Sequence, residues 1–173
     1  MHLVKTIAGG VAIAANAVGT LVVIALIAIV NYDIVARGIF NKPFLGAVEV
    51  VQFSMVLIVF LQLPDVVRMG RMTRSDGFLN LMRARRPAVG RIQSMLIDLA
   101  SAAFMIIVAV AMWPEFVEMW ESQDFFGVPG IFTAPWWPIK LVIFLSACLC
   151  TIHFLLHVIS ETGDSVPHQE SGS

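Results

Sequence analysis

Residues 7–31 read IAGGVAIAANAVGTLVVIALIAIVN, and no charged side chain stands between Lys5 and Asp33. A helix that crosses the hydrocarbon of a bilayer needs about 20 mostly apolar residues, and this stretch supplies them. The apolar core of a signal peptide is shorter, about 7–15 residues, so the segment reads as a retained anchor. The rest of the chain follows its lead. Of 173 residues, 58% are hydrophobic and 13% charged, and the mean hydropathy is +0.86. Water-soluble domains carry about 45–50% apolar and about 25% charged residues. A chain this short cannot hide such an excess from water, so lipid is its solvent.

Three more spans follow, at about 47–67, 92–113 and 136–159. Glu49 and Asp65 lie near the ends of the second, where acids reach the interface, and Gln52, Gln62 and Pro64 lie within it. The third contains Asp98, and the fourth contains Lys140, His153 and His157. Trp113, Trp120, Trp136 and Trp137 cluster at the ends of spans three and four. Indole favours that depth because its ring is apolar and its N–H seeks a polar partner.

Charge sets the orientation. Arg68, Arg71, Arg74, Arg83, Arg85, Arg86 and Arg91 lie between spans two and three, seven of the eleven Lys and Arg residues. Short loops rich in bases stay cytoplasmic. The next loop carries Glu115, Glu118, Glu121 and Asp124 with no base before Lys140, and is expected outside. Both termini then face the cytoplasm. Within the basic loop, Ser75 or Asp76 caps a short helix, Phe78, Leu79, Leu81 and Met82 supply its apolar face, and Pro87 stops it. Such a helix lies in the headgroup layer with its arginines towards anionic phosphates. The tail 161–173 is polar and expected to be disordered. The predicted fold is an all-α integral membrane protein of four spans forming one domain over 1–160.

Few side chains suggest chemistry. Phosphate-binding glycine loops, nucleophile elbows and the His-Glu-x-x-His pattern are missing, so no enzyme, cofactor, metal or nucleic-acid partner is expected. Cys148 and Cys150 point to different faces of a helix and read as packing residues. His153 and His157 share a helix face. Haem ligation is the sharp reading and packing the preferred one. Asp98 is costly in hydrocarbon, about 2.5–3.5 kcal/mol at the centre of a spanning helix. It marks either an ion or proton site or, the reading preferred, a contact with Gln93, Ser94 or an arginine at the inner surface. Arg37 and Glu49 bracket the first outer loop and could meet headgroups, each other or a second protein. Lys140 can snorkel to the outer surface. The spans show no interruption of the kind that builds transporter sites at mid-membrane. The chain therefore reads as a subunit that holds a larger partner.

The order of three features resembles the DctQ-like small membrane subunit of tripartite ATP-independent periplasmic (TRAP) transporters, over about Ile7 to Ile159. Arg37-x-x-Phe40-Asn41-x-Pro43 is followed by Glu49 at the start of span two. The end of span two runs through Arg68, Gly70, Arg71 and Arg74 to Asp76. The four-span layout with a basic middle loop is the third. Gly46, Val48 and Met72 stand where the family commonly has tryptophan, an acid and histidine. The resemblance implies a static scaffold, one copy per large (M-type) elevator subunit, in the bacterial inner membrane. That large subunit takes organic acids from a periplasmic binding protein, driven by sodium. Arg37, Asn41, Glu49, Gln52, Asp98 and Lys140 become candidate contacts with the large subunit or phospholipid. Arg68, Arg71, Arg74, Asp76, Arg83, Arg85 and Arg86 become candidate cytoplasmic anchors. Glu115, Glu118, Glu121 and Asp124 become candidate contacts with the binding protein. Two other classes compete: a membrane anchor of a respiratory oxidoreductase, with the histidines near haem or quinone, and an autonomous proton-coupled exporter using Asp98.

Overall fold

The computed structural model describes residues 2–44, 46–70, 87–128 and 132–163. The expected interfacial helix, the anchoring side chains Arg71, Arg74, Asp76, Arg83, Arg85 and Arg86, and the tail beyond 163 lie outside the described residues. The elements are α1 (His2–Phe40), α2 (Ala47–Arg68), α3 (Pro87–Ser122), β1 (Phe125–Val128), β2 (Phe132–Pro135) and α4 (Trp137–Gly163). All four helices are long and apolar enough to cross a membrane.

Two helices are far longer than the sequence reading expects. With 39 and 36 residues, α1 and α3 reach about 58 and 54 Å at 1.5 Å per residue, against about 30 Å of hydrocarbon. Each therefore tilts or projects beyond the hydrocarbon. The expected loop at 31–46 is half helix. Arg37 sits in the last turn of α1, and its guanidinium meets Asp33 at 3.0 Å rather than Glu49. The stop comes at Asn41, in a left-handed conformation (φ 51) that asparagine tolerates at a helix end, and Pro43 forbids resumption. The Phe44 amide donates to Asp33 at 2.8 Å, folding the connection onto α1. Gly46 (φ 99) then opens α2.

The third span starts earlier than expected, at Pro87, which suits a residue whose missing N–H is unneeded in a first turn. Hydropathy ends the third span near Trp113, yet the helix continues through Pro114 to Ser122. Glu115, Glu118 and Glu121 thus stand on a helical extension. The remaining segment is an antiparallel hairpin, with Phe125 opposite Pro135 and Phe126 opposite Ala134, where an all-α fold is expected. A lone two-stranded hairpin is marginal. Here Phe126 packs edge-on against Trp136 at 4.9 Å, tying it to the start of α4. The tail reading shortens as well, because α4 reaches Gly163.

The principal packing runs α1–α2–α4–α3, with a lighter α1–α4 contact. The helices therefore form an open row. Its interior is built from small residues, among them Ala8, Ala12, Ala102 and Ala147. Close backbone approach, not hydrophobicity, drives helix association in lipid. Gly19 marks the tightest place. A Cβ there would lie 2.9 Å from Gln62 Cγ and 3.2 Å from Leu61 Cβ. Gly19→Val is expected to lower stability by about 1–3 kcal/mol through overpacking. Gly10→Ala is the control, since nothing lies within 4 Å of its added methyl. Thermal unfolding in detergent separates the two, and equal midpoints would remove the α1–α2 contact from the account.

Candidate functional site

The end of the row that holds Lys5 of α1, Arg68 of α2 and His157 of α4 contains a cluster of polar side chains. Asp65 is 5% exposed. Its Oδ1 accepts from Arg68 Nε at 2.9 Å and meets Arg68 Nη2 at 2.8 Å. Its Oδ2 accepts from Asn16 Nδ2 at 2.9 Å. A carboxylate inside a membrane protein persists only with such partners. Sequence reasoning placed Asp65 near the end of its span, and the structure buries it there between helices. Two signals were available: the three-residue spacing to Arg68, which puts both on one helix face, and the lone amide of Asn16 in a stretch of alanines and valines.

His153 is 4% exposed. Its ring hydrogen-bonds the Ala8 backbone, while Nε2 has no partner among the described residues. His157, one turn on, lines the same open-sided pocket as Lys5, Arg68 and His153. Asp98 is 1% exposed, faces the interior of the row and is engaged there, as is Ser94 one turn before it. Cys148 and Cys150 are free thiols, the second fully buried. Among the described residues no three His, Cys, Asp or Glu side chains gather closely enough to hold a metal ion.

The opposite end is aromatic and acidic. Lys140 Nζ meets Glu115 Oε2 at 2.9 Å across the α3–α4 contact. Beside that pair runs a ladder of rings: Phe144 on Trp113 at 5.3 Å, Phe116 on Trp113 at 6.1 Å, Trp120 on Phe116 at 6.2 Å and Trp137 on Trp120 at 5.2 Å. Glu118, Glu121 and Asp124 are exposed beyond it. The structure thus separates Glu115 from the other three acids by giving it a partner. Arg37, Asn41 and Gln52 are exposed at this end, and Glu49 is half-buried. Gln52 lies on an outward stripe of α2 with Val48, Met55 and Val59.

These features define a class: a multi-pass membrane component of uninterrupted helices, with polar groups that pair within the protein and broad apolar faces left outward. Residues 26–163 match the profile of the DctQ component of tripartite ATP-independent periplasmic transporters. The chain belongs to that family and is a small membrane subunit of a TRAP-type transporter. The match starts within α1, later than Ile7, so Lys5, Asn16 and Gly19 lie outside it. No curated protein and no solved structure matches the chain. Family membership is that of a transport component, which selects against the oxidoreductase-anchor and lone-exporter readings.

Proposed function

We propose that this chain is the static wall of a sodium-driven TRAP transporter, against which a large membrane subunit carries organic acids delivered by a periplasmic binding protein. One observation carries the reading: α2 presents Gln52 on an outward apolar stripe. The amide lies about 8 Å from the start of the helix. Facing lipid, it would lose its hydrogen bonds; a polar group on a neighbouring helix restores them. The open row supports the same reading, because its faces are broad and its helices unbroken. Orientation rests on charge. The Lys5 and Arg68 end faces the cytoplasm of a bacterial inner membrane, and the hairpin end faces the periplasm. Arg37, Asn41 and Glu49 then flank the large-subunit contact at its periplasmic edge. Glu118, Glu121 and Asp124 meet the binding protein, while Lys140 and Glu115 hold α3 to α4. Asp98 fixes α3 from within and does not meet the partner directly.

The test is co-purification followed by reconstitution. A tagged chain should bring down a membrane protein of many more spans from native membranes. Proteoliposomes should take up labelled organic acid under a sodium gradient only when both are present with the binding protein. Uptake by the chain alone, or full uptake by the large subunit without it, overturns the reading. Gln52→Trp should weaken co-purification. The triple change Glu118→Gln, Glu121→Gln, Asp124→Asn should lower uptake while leaving membrane-subunit assembly intact. If docking and uptake stay unchanged, these acids are not the binding-protein contact.

A further inference from the structure

We infer that the chain holds one anionic phospholipid, its phosphate in the basic pocket at the Lys5 end and an acyl chain in the apolar groove beside it. The pocket is about 360 Å³ and is walled by Lys5, Gly9, Arg68, His153, His157 and Ser160. Among the described residues, bases and a hydroxyl line it and no acid does. The counter-charge nearby among the described residues, Asp65, is committed to Arg68 and Asn16. Lys5 makes no ion pair among the described residues. His153 is buried yet leaves Nε2 unpartnered at the pocket. A buried polar atom without a partner is uncommon and costly; with the other ring nitrogen donating to the Ala8 carbonyl, Nε2 is the acceptor of a neutral imidazole, and a headgroup hydroxyl from outside would satisfy it. Gly9 keeps the α1 wall thin, since a Cβ there would already touch Arg68 Cδ at 3.6 Å.

The second observation is independent of charge. One turn farther along the same three helices lies a groove of about 280 Å³, walled by Ala15, Phe60, Pro64, Leu145, Leu149 and Ile152. Ile152 is one turn from Leu156 of the pocket, and Pro64 one turn from Arg68, about 6 Å at 1.5 Å per residue. A phosphate-binding end with an apolar groove beside it fits a molecule that is anionic at one end and hydrocarbon at the other. Charge complementarity commits the occupant to an acidic lipid, and the depth agrees, because helix ends lie at the headgroup layer. A bound lipid would also bridge α1 and α4, whose direct contact is light.

The experiment is native mass spectrometry of the full chain in detergent, titrated separately with dioleoylphosphatidylglycerol, dioleoylphosphatidylcholine and inorganic phosphate. One phosphatidylglycerol should remain bound at activation energies that strip the others, and phosphatidylcholine should bind more weakly. Lys5→Gln with His157→Gln should weaken retention roughly fivefold to tenfold through lost charge-assisted contacts, and Lys5→Arg should restore it in the His157 wild type. Ala15→Phe should weaken the dioleoyl lipid and spare its dihexanoyl counterpart, which reaches only the headgroup pocket. Equal retention in the Lys5 and His157 variants, with helicity unchanged by circular dichroism, overturns the inference. So does equal binding of the two lipids. An inorganic phosphate adduct that displaces the lipid identifies a free-anion site and overturns it too. None of these outcomes bears on partnership with a large subunit, so the two proposals fail separately.

Discussion

Asp65→Ala is expected to destabilise the chain by roughly 2–4 kcal/mol and to lower its steady-state level in the membrane. Removing one member of a buried ion pair costs about 3–5 kcal/mol, because the other charge is stranded. The lower range applies here because the Arg68 side chain is 29% exposed and can turn towards water or headgroups. Asn16 also loses its acceptor, which ties α1 to α2. Asp65→Asn should fall between, since the amide oxygen still accepts while the charge is gone. The sharper comparison is Asp65→Leu with Arg68→Leu, expected to be less damaging than Asp65→Ala alone, because no charge is left unpaired. Chemical unfolding in mixed micelles reads all three. A double variant worse than the single one would show that the pair contributes net stability beyond satisfying itself.

Phe154→Ala is expected to cost about 2 kcal/mol, less than the same change in a water-soluble core. Phe154 is fully buried with Val67, Ala102 and Cys150, and Leu63 and Met105 pack around them. In water the loss has two parts, transfer of the ring out of water and the cavity left behind, together about 3–5 kcal/mol. In lipid the first part nearly vanishes, because a separated helix still surrounds its ring with hydrocarbon. The cavity part remains, about 24 cal/mol for each Å³ that fails to collapse, so roughly 100 Å³ gives the figure above. The cluster joins α2, α3 and α4, so its loss should loosen the row where three helices meet. In a Cys148→Ala background, Cys150 provides the readout: a thiol-reactive dye should label it at lower temperature in Phe154→Ala than in the parent. An unchanged labelling midpoint would mean that neighbouring side chains fill the space.

Legibility differs between the spans and their ends. The spans were readable because hydrocarbon imposes a length and a polarity on every crossing helix. The ends were not, because a helix that leaves the hydrocarbon no longer needs apolar residues. Local backbone chemistry then decides where it stops. Asn41 and Pro43 end α1 well past the last uncharged residue of span one, and α3 passes through Pro114 for two more turns. The hairpin had a signal in the aromatic and β-branched residues of Phe125 to Val128, the Pro-Gly at 129–130 and the run to Pro135, obscured by the acids preceding it.

The candidate sites divide along the same line. Sequence alone determined four segments long and apolar enough to cross a membrane, and the membership of a transport family that the match over residues 26–163 confirms. These follow from composition and order, which the solvent and the backbone read without reference to other helices. Only the tertiary structure decided which polar side chains are spent inside the protein and which remain to meet something else. Asp65 finds Asn16 from a helix 49 positions away, Lys140 finds Glu115 across 25, and Gln52 faces outward. Pairings between helices depend on rotation and offset of one helix against another. Those are set by small-residue contacts such as Gly19 on Leu61 and Gln62, whose geometry appears only when the helices pack.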